Sequence, residues 1–138
     1  MIKLSAHNES EVHGLIKLSI GSPTPEKVQE ILISYDEPDH HLLGYYSEGK
    51  LVGLIGLQTH ETHGIIKHIA VEEAYQKQGI GKTLITEAIN DLGLKTCESE
   101  TDEEGKGFYE KCGFTINAFT GPYGGRFKCS FRLPLNPP

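Results

Sequence analysis

Basic residues are in short supply in this chain: 13 Lys and Arg stand against 19 Asp and Glu, a formal net charge of −6. Non-specific binding to nucleic acid or to an anionic membrane surface needs a basic face, so the balance argues against both partners. It favours cationic partners such as free amines, drawn in by long-range attraction. No apolar run is long enough to span a bilayer, and the sequence shows no signal peptide. Cysteine is scarce as well. Cys97, Cys112 and Cys129 are widely spaced, odd in number and in no Cys-x-x-Cys pair. That pattern predicts a reducing compartment, the cytoplasm, with the thiols serving as small core residues. Repeats and low-complexity blocks are lacking too, and only the tail "PLNPP" reads as frayed. What is there is a chain of 138 residues, read as one domain over 1–138, whose core needs neither disulfide nor metal. Its apolar share is a modest 37%, but the aliphatics fall in periodic runs, which predicts a folded globule.

The periodicity changes along the chain. "MIKLSA" reads as a short first strand. In "NESEVHGLIKLSI" the residues Val12, Leu15, Ile16 and Ile20 have helical spacing, with Asn8 or Ser10 as the cap. "SPTPEKVQEILISY" starts a second helix with Thr24 as N-cap and Pro25 at the first helical position, and Val28, Ile31 and Leu32 form its apolar stripe. Residues 41–47, 50–60 and 63–71 then read as three consecutive antiparallel strands, punctuated by "SEGK" and "ETHG". "GKTLITEAINDLG" is an amphipathic helix closed by Gly93, "LKTCESET" a strand and "EEGKGFYEKCG" a short helix. "FTINAFT" and "RFKCSFRL" make a closing hairpin across "GPYGG". The order β-α-α-β-β-β-α-β-α-β-β predicts a mixed α/β domain.

Residues 74–84, "AYQKQGIGKTL", look built for phosphate. A Walker loop ending in Gly81-Lys82-Thr83 needs a glycine at position 76, which is Gln76. A dinucleotide fingerprint needs one at position 84, which is Leu84, and an opening βαβ unit that the order lacks. The pattern Gln/Arg-x-x-Gly-x-Gly/Ala, however, fits Gln76-Lys77-Gln78-Gly79-Ile80-Gly81 position for position. Its glycines let successive N–H groups turn toward one point, and the following helix adds its positive end. A pyrophosphate suits such a nest, Lys82 and Thr83 can add donors, and a side chain at position 81 is expected to project into it.

Here the sequence resembles the GCN5-related N-acetyltransferase family, whose members hold the pyrophosphate of coenzyme A in this loop after the fourth strand. "IKHIAVEEAYQKQGIGKTLITEAI" is similar to the family's strand, spacer, loop and helix, and "GFYEKCGF" at 107–114 to its later "FYxKxGF" segment. The element order matches nearly end to end. The resemblance implies the acyl-CoA N-acyltransferase fold, a central, mostly antiparallel sheet of about seven strands with flanking helices. It implies an acetyl-CoA-dependent enzyme without metal that acetylates a primary amine, on a small molecule or a protein, and it leaves room for a homodimer. The alternatives are an acyl-CoA sensor that has lost turnover and, against Gln76 and the strand order, a phosphoryl-transfer enzyme.

The same resemblance assigns roles. Gln76, Lys77, Gln78, Gly79, Ile80, Gly81, Lys82 and Thr83 would hold the cofactor. Ile69, Ala70 and Val71 would offer their main chain to the pantetheine arm as an added strand does, with their side chains in the core. N–H groups near Val71 would polarise the thioester carbonyl. Tyr109 would be the catalytic acid, its phenol beside the leaving sulfur. The base stays open. Family members place it four or six residues before the equivalent of Val71, where this chain has Lys67 and Ile65. Strand alternation turns His68 to the opposite face, while Glu98 and Glu100 share a face of the fifth strand and can act directly or through water. His60, His63 and His68 invite a metal reading, but the first two flank a hairpin turn and no cysteine lies nearby. Cys112 reads as a packed thiol beside Tyr109.

Overall fold

The computed structural model describes residues 2–4, 10–21, 23–121 and 124–133. The Asn8 cap, the centre of the "GPYGG" turn and the "PLNPP" tail lie outside the described residues. The order is β1 (Ile2–Lys3), α1 (Ser10–Leu18), α2 (Pro25–Ser34), β2 (His40–Ser47), β3 (Lys50–His60), β4 (His63–Val71), α3 (Ile80–Asp91), β5 (Thr96–Thr101), α4 (Lys106–Lys111), β6 (Thr115–Gly121) and β7 (Gly124–Arg132). A 3₁₀ turn at Glu73–Tyr75 precedes α3, and no local pattern announced it. The strands form one seven-stranded sheet in the order β1-β2-β3-β4-β5-β7-β6. All pairs are antiparallel except β4 with β5.

Local chemistry sets most of these boundaries. Thr24 accepts the Lys27 N–H at 3.1 Å and Pro25 pre-sets the first turn of α2. Glu48 and Gly49 both take positive φ, 49° and 79°, as a two-residue hairpin between Ser47 and Lys50 requires. At the end of α3, Gly93 at φ 63° lets Leu94 N–H reach the Ile89 carbonyl at 2.9 Å while its own N–H bonds Asn90, a paired closure that ends the helix.

Each face of the sheet carries its own layer. Val12, Leu15 and Ile16 of α1 and Val28 and Leu32 of α2 pack on Leu42, Leu51, Leu54 and Ala70. On the other face Leu84, Ile85, Ala88 and Ile89 of α3, with Tyr109 of α4, pack on Leu43, Ile55, Leu57, Ile66, Cys97 and Cys129. β3 is covered on both faces, which is why "LVGLIGL" is an unbroken buried run rather than an alternating one. Among the described residues no helix is long and apolar enough to cross a membrane.

Candidate active site

The site begins where two neighbouring strands part. β4 and β5 pair only at His63–Thr96, Gly64–Cys97 and Ile65–Glu98. Just past that point the β3–β4 register slips: Leu57 faces Ile66 but Gly56 faces His68, so Lys67 is an extra, unpaired residue. Such a bulge bends its strand, and the rest of β4 leaves β5 behind. Glu72 N–H bonds the Val52 carbonyl. By the alternation of an antiparallel ladder, Ala70 then points its main chain at β3, and Ile69 and Val71 turn theirs to the open side.

The bulge also corrects the alternation used on the sequence. His68 does lie on the opposite face from Val71, as expected, but Ile65 is carried to that opposite face with it. His68 is not free for chemistry. Its Nδ1 bonds the Tyr35 hydroxyl at 2.5 Å, and burial pushes its imidazole down to about 4. The same burial raises the Tyr35 phenol.

A cavity of about 680 Å³ opens between the end of β4, the loop into α3 and one side of α4. It gathers Ile69, Ala70, Val71, Gln76, Lys77, Gly79, Ile80, Gly81 and Lys82 of the sequence-derived set. Gln78, Thr83 and Tyr109 are not in its lining. Tyr75, Phe108, Lys111 and Cys112 are, and the sequence reading gave none of them a binding role. Phe108, Lys111 and Cys112 are spaced i, i+3, i+4 on one helical face, a signal that α4 presents that face to a common space.

The loop has the backbone that anion binding needs. Lys77 and Gly79 both adopt left-handed conformations, φ 66° and 82°, so successive N–H groups point inward. The first helical bond of α3 runs from Thr83 N–H to the Gly79 carbonyl, so Ile80, Gly81 and Lys82 keep N–H groups without an intrahelical acceptor. Gln76 fastens the loop to the strand by donating from Nε2 to the Val71 carbonyl at 3.0 Å. The Thr83 hydroxyl is spent on the Gly79 carbonyl. The charged residues lining the cavity are Lys77, Lys82 and Lys111, with no carboxylate among them, on a chain whose net charge is −6. A Cβ at Gly81 would meet the ring of Phe108, itself part of the cavity lining, at 2.7 Å, so a side chain there would crowd the approach of α3 to α4.

"FYEKCGF" is a helix end. Gly113, at φ 91°, lets Phe114 N–H reach the Tyr109 carbonyl and its own N–H reach Glu110, both at 3.0 Å. Phe114 then packs edge-on to Tyr109 at 5.3 Å, the apolar contact that accompanies such a closure. The Tyr109 ring is thereby fixed with its hydroxyl buried and accepting a bond from Ser99 Oγ at 2.9 Å. Burial pushes the phenol up to about 12, so it stays protonated at neutral pH. Ser99 is the first residue of β5 beyond the paired register, and it lines a second cavity of about 380 Å³ in the β4–β5 fork. Through Ser99 the Tyr109 hydroxyl thus touches the lining of this cavity, while its helix neighbours Phe108 and Cys112 line the first.

Two carboxylates border the fork. Glu98 receives His63 Nε2 at 2.6 Å and Lys128 Nζ at 3.3 Å, and the His63 bond above all holds its carboxyl below the usual range. Glu100 lies exposed two residues on. His63 also bonds Thr96 Oγ1 at 2.7 Å, so it is engaged within the sheet.

The profile of the acetyltransferase (GNAT) domain matches residues 38–116. An uncharacterised N-acetyltransferase of Bacillus methanolicus is 30% identical over 114 residues, 81% of this chain and 93% of that one. The chain belongs to the GNAT acetyltransferase family. It is an acetyl-CoA-dependent N-acetyltransferase whose acceptor is an amine. Among solved structures, this GNAT domain matches an aminoglycoside 6'-N-acetyltransferase complexed with coenzyme A, with a TM-score of 0.80 and 18% identity over 100% of both chains. The ribosomal-protein-S18-alanine N-acetyltransferase of Escherichia coli matches at 0.73 and 18% identity, covering 99% of this chain and 96% of that one.

Proposed function

We propose that this GNAT enzyme grips the pyrophosphate of acetyl-CoA in the loop at 76–83 and acetylates a primary amine that enters the β4–β5 fork. One observation carries the reading. In an acidic protein the 680 Å³ cavity is charged only by lysines, and it sits on a loop with two left-handed residues at a helix N-terminus. Lys77, Lys82 and Lys111 would pair with the phosphates, and the N–H groups of Ile80, Gly81 and Lys82 would bond them. Gln78 and Thr83 would shape the turn without touching the anion. The outward main chain of Ile69 and Val71 would hold the pantetheine arm, with Ala70 anchoring that segment in the core.

Acetyl-CoA supplies the activated acetyl group as its thioester. Tyr109 would donate its phenolic proton as the sulfur leaves, which its raised pKa permits because the donor stays protonated. Glu98 or Glu100 would take the amine's proton, directly or through water. The amine nitrogen bonds the acetyl carbon, the carbon–sulfur bond breaks, and the products are an amide and a free thiol. The solved relatives are named for an aminoglycoside and for a ribosomal alanine, so a small-molecule amine and a protein amino group both suit the family's fold. The reading holds for a monomer or a homodimer alike.

Isothermal titration on metal-free protein tests it. Coenzyme A should bind and ATP should bind far more weakly, because position 76 lacks the glycine a Walker loop needs. Tight ATP binding with no response to coenzyme A would end the reading.

A further inference from the structure

We infer that the acceptor is a small amine that also carries an anionic group, with free amino acids the simplest class, and that Arg126 holds the anion. This rests on the reading above in which the fork receives the amine. At about 380 Å³ the fork cavity is near the lower end of ligand-pocket volumes, ~300–1,000 Å³, so it suits a small molecule.

Its charges set the chemistry. Glu98 and Glu100 of β5 face Lys67 of the bulge and Arg126 of β7 across the space. Glu98 is compensated already by His63 and Lys128. Among the described residues, Lys67, Glu100 and Arg126 make no ion pair at all. In the register Glu100 stands opposite Lys128, which pairs with Glu98 instead, and Arg126 stands opposite Phe119. Arg126 is half-buried and, among the described residues, pairs with no carboxylate. A ligand with an ammonium for the acidic side and a carboxylate for the basic side completes the set. A purely cationic amine would leave Arg126 unanswered and meet repulsion from both basic side chains. Guanidinium is also the group whose planar donors match a carboxylate with two parallel bonds.

Acetyl transfer to such a ligand consumes nothing further: the nitrogen–carbon bond forms as the carbon–sulfur bond breaks, and the carboxylate is a spectator.

The test pairs each common free amino acid with its carboxamide in a thiol-release assay with acetyl-CoA and full-length protein. The amide is a demanding control, since removing the carboxylate lowers the amine's pKa and leaves more of it neutral and nucleophilic. For the best acceptor, kcat/KM should be at least tenfold higher for the acid. Arg126→Gln should abolish that preference by slowing the acid and sparing the amide, with Arg126→Lys restoring part of it. An amide as good as its acid in the wild type overturns the inference while leaving amine acetylation in place. So does an equal loss for both in Arg126→Gln. Calorimetry of the same pairs on protein saturated with coenzyme A gives a second readout. Acid-selective binding that Arg126→Gln removes supports the inference even without turnover, and would then sink the acetylation reading instead. Absent or unselective binding together with no turnover overturns it.

Discussion

Replacing Tyr109 by Phe removes one oxygen from a place where it touches both stability and chemistry, and the two effects have comparable size. The ring and its edge-on contacts with Phe108 at 5.1 Å and Phe114 at 5.3 Å persist. Lost is the acceptor for Ser99, which is only 3% exposed. A buried hydroxyl stripped of its partner costs about 1–3 kcal/mol. In a domain of this size that lowers the melting midpoint by several degrees. General-acid assistance contributes ~10²–10⁴-fold, about 3–5 kcal/mol of barrier, so turnover should drop at least tenfold with acetyl-CoA affinity nearly unchanged. Ser99→Ala separates the two effects. It removes the donor and keeps the phenol, so it should cost stability on the same scale, since the buried phenol loses that partner, and leave most of the turnover. The double variant replaces both partners by apolar groups and should recover stability toward wild type without recovering activity. With the phenol pushed up to about 12, no alkaline loss of rate in the neutral range should trace to Tyr109. Steady-state thiol release with a melting curve for each variant checks all of this. Full turnover in Tyr109→Phe with chemistry rate-limiting would refute the reasoning and make the phenol structural. The sulfur would then take its proton from water or from the attacking amine.

Gly81→Ala should weaken coenzyme A binding about tenfold with little change in stability. The new Cβ pushes the partly exposed Phe108 ring, 2.7 Å away, across the cavity, while alanine's better helix propensity offsets the strain by about 1 kcal/mol. Calorimetry on Gly81→Ala and on Gly81→Ala with Phe108→Ala checks it, and equal weakening in both would show that the ring is not the cause. His68 has a folded pKa of about 4 against an ordinary 6.5. Above the ordinary value it is neutral in both states. As pH falls through it, the unfolded chain binds a proton that the folded chain refuses, so stability declines, by about 2 kcal/mol by about pH 5. Urea midpoints of wild type and His68→Gln over that interval should diverge in slope, and parallel curves would contradict the assignment.

How much of this was legible follows from where each feature's cause lies along the chain. The strands at 40–47, 50–60 and 63–71 match the sequence expectation to within a residue, because their turns are fixed by neighbours in sequence: Glu48-Gly49, and Glu61 at φ 54°. Gly79 and Gly93 were legible for the same reason, each being demanded by its own φ. The bulge at Lys67 was not, since it is a property of how β4 pairs with β3, and with it went the true face of Ile65. Nor was the capture of Glu98 by His63 and Lys128, which depends on the register of three strands. Nor was the close approach of Gly81 to Phe108, 27 positions away in sequence.

Tyr109 shows why a matching motif and a matching function are different findings. In "FYEKCGF" the tyrosine supplies the third-to-last carbonyl of α4, the glycine the left-handed exit and the last phenylalanine the contact that seals it. That spacing is one common way for a helix to stop, so selection for folding alone would keep it in a descendant that no longer turned over. The helix end requires the Tyr109 ring and main chain and has no use for the phenol oxygen. The proposed acid rests on that oxygen instead. It reaches Ser99 at the point where β4 and β5 separate, a contact between residues on different elements. A protein kept only as a sensor has no chemical use for a protonated phenol at that point; there the oxygen would serve only its bond to Ser99, and phenylalanine would close the same helix.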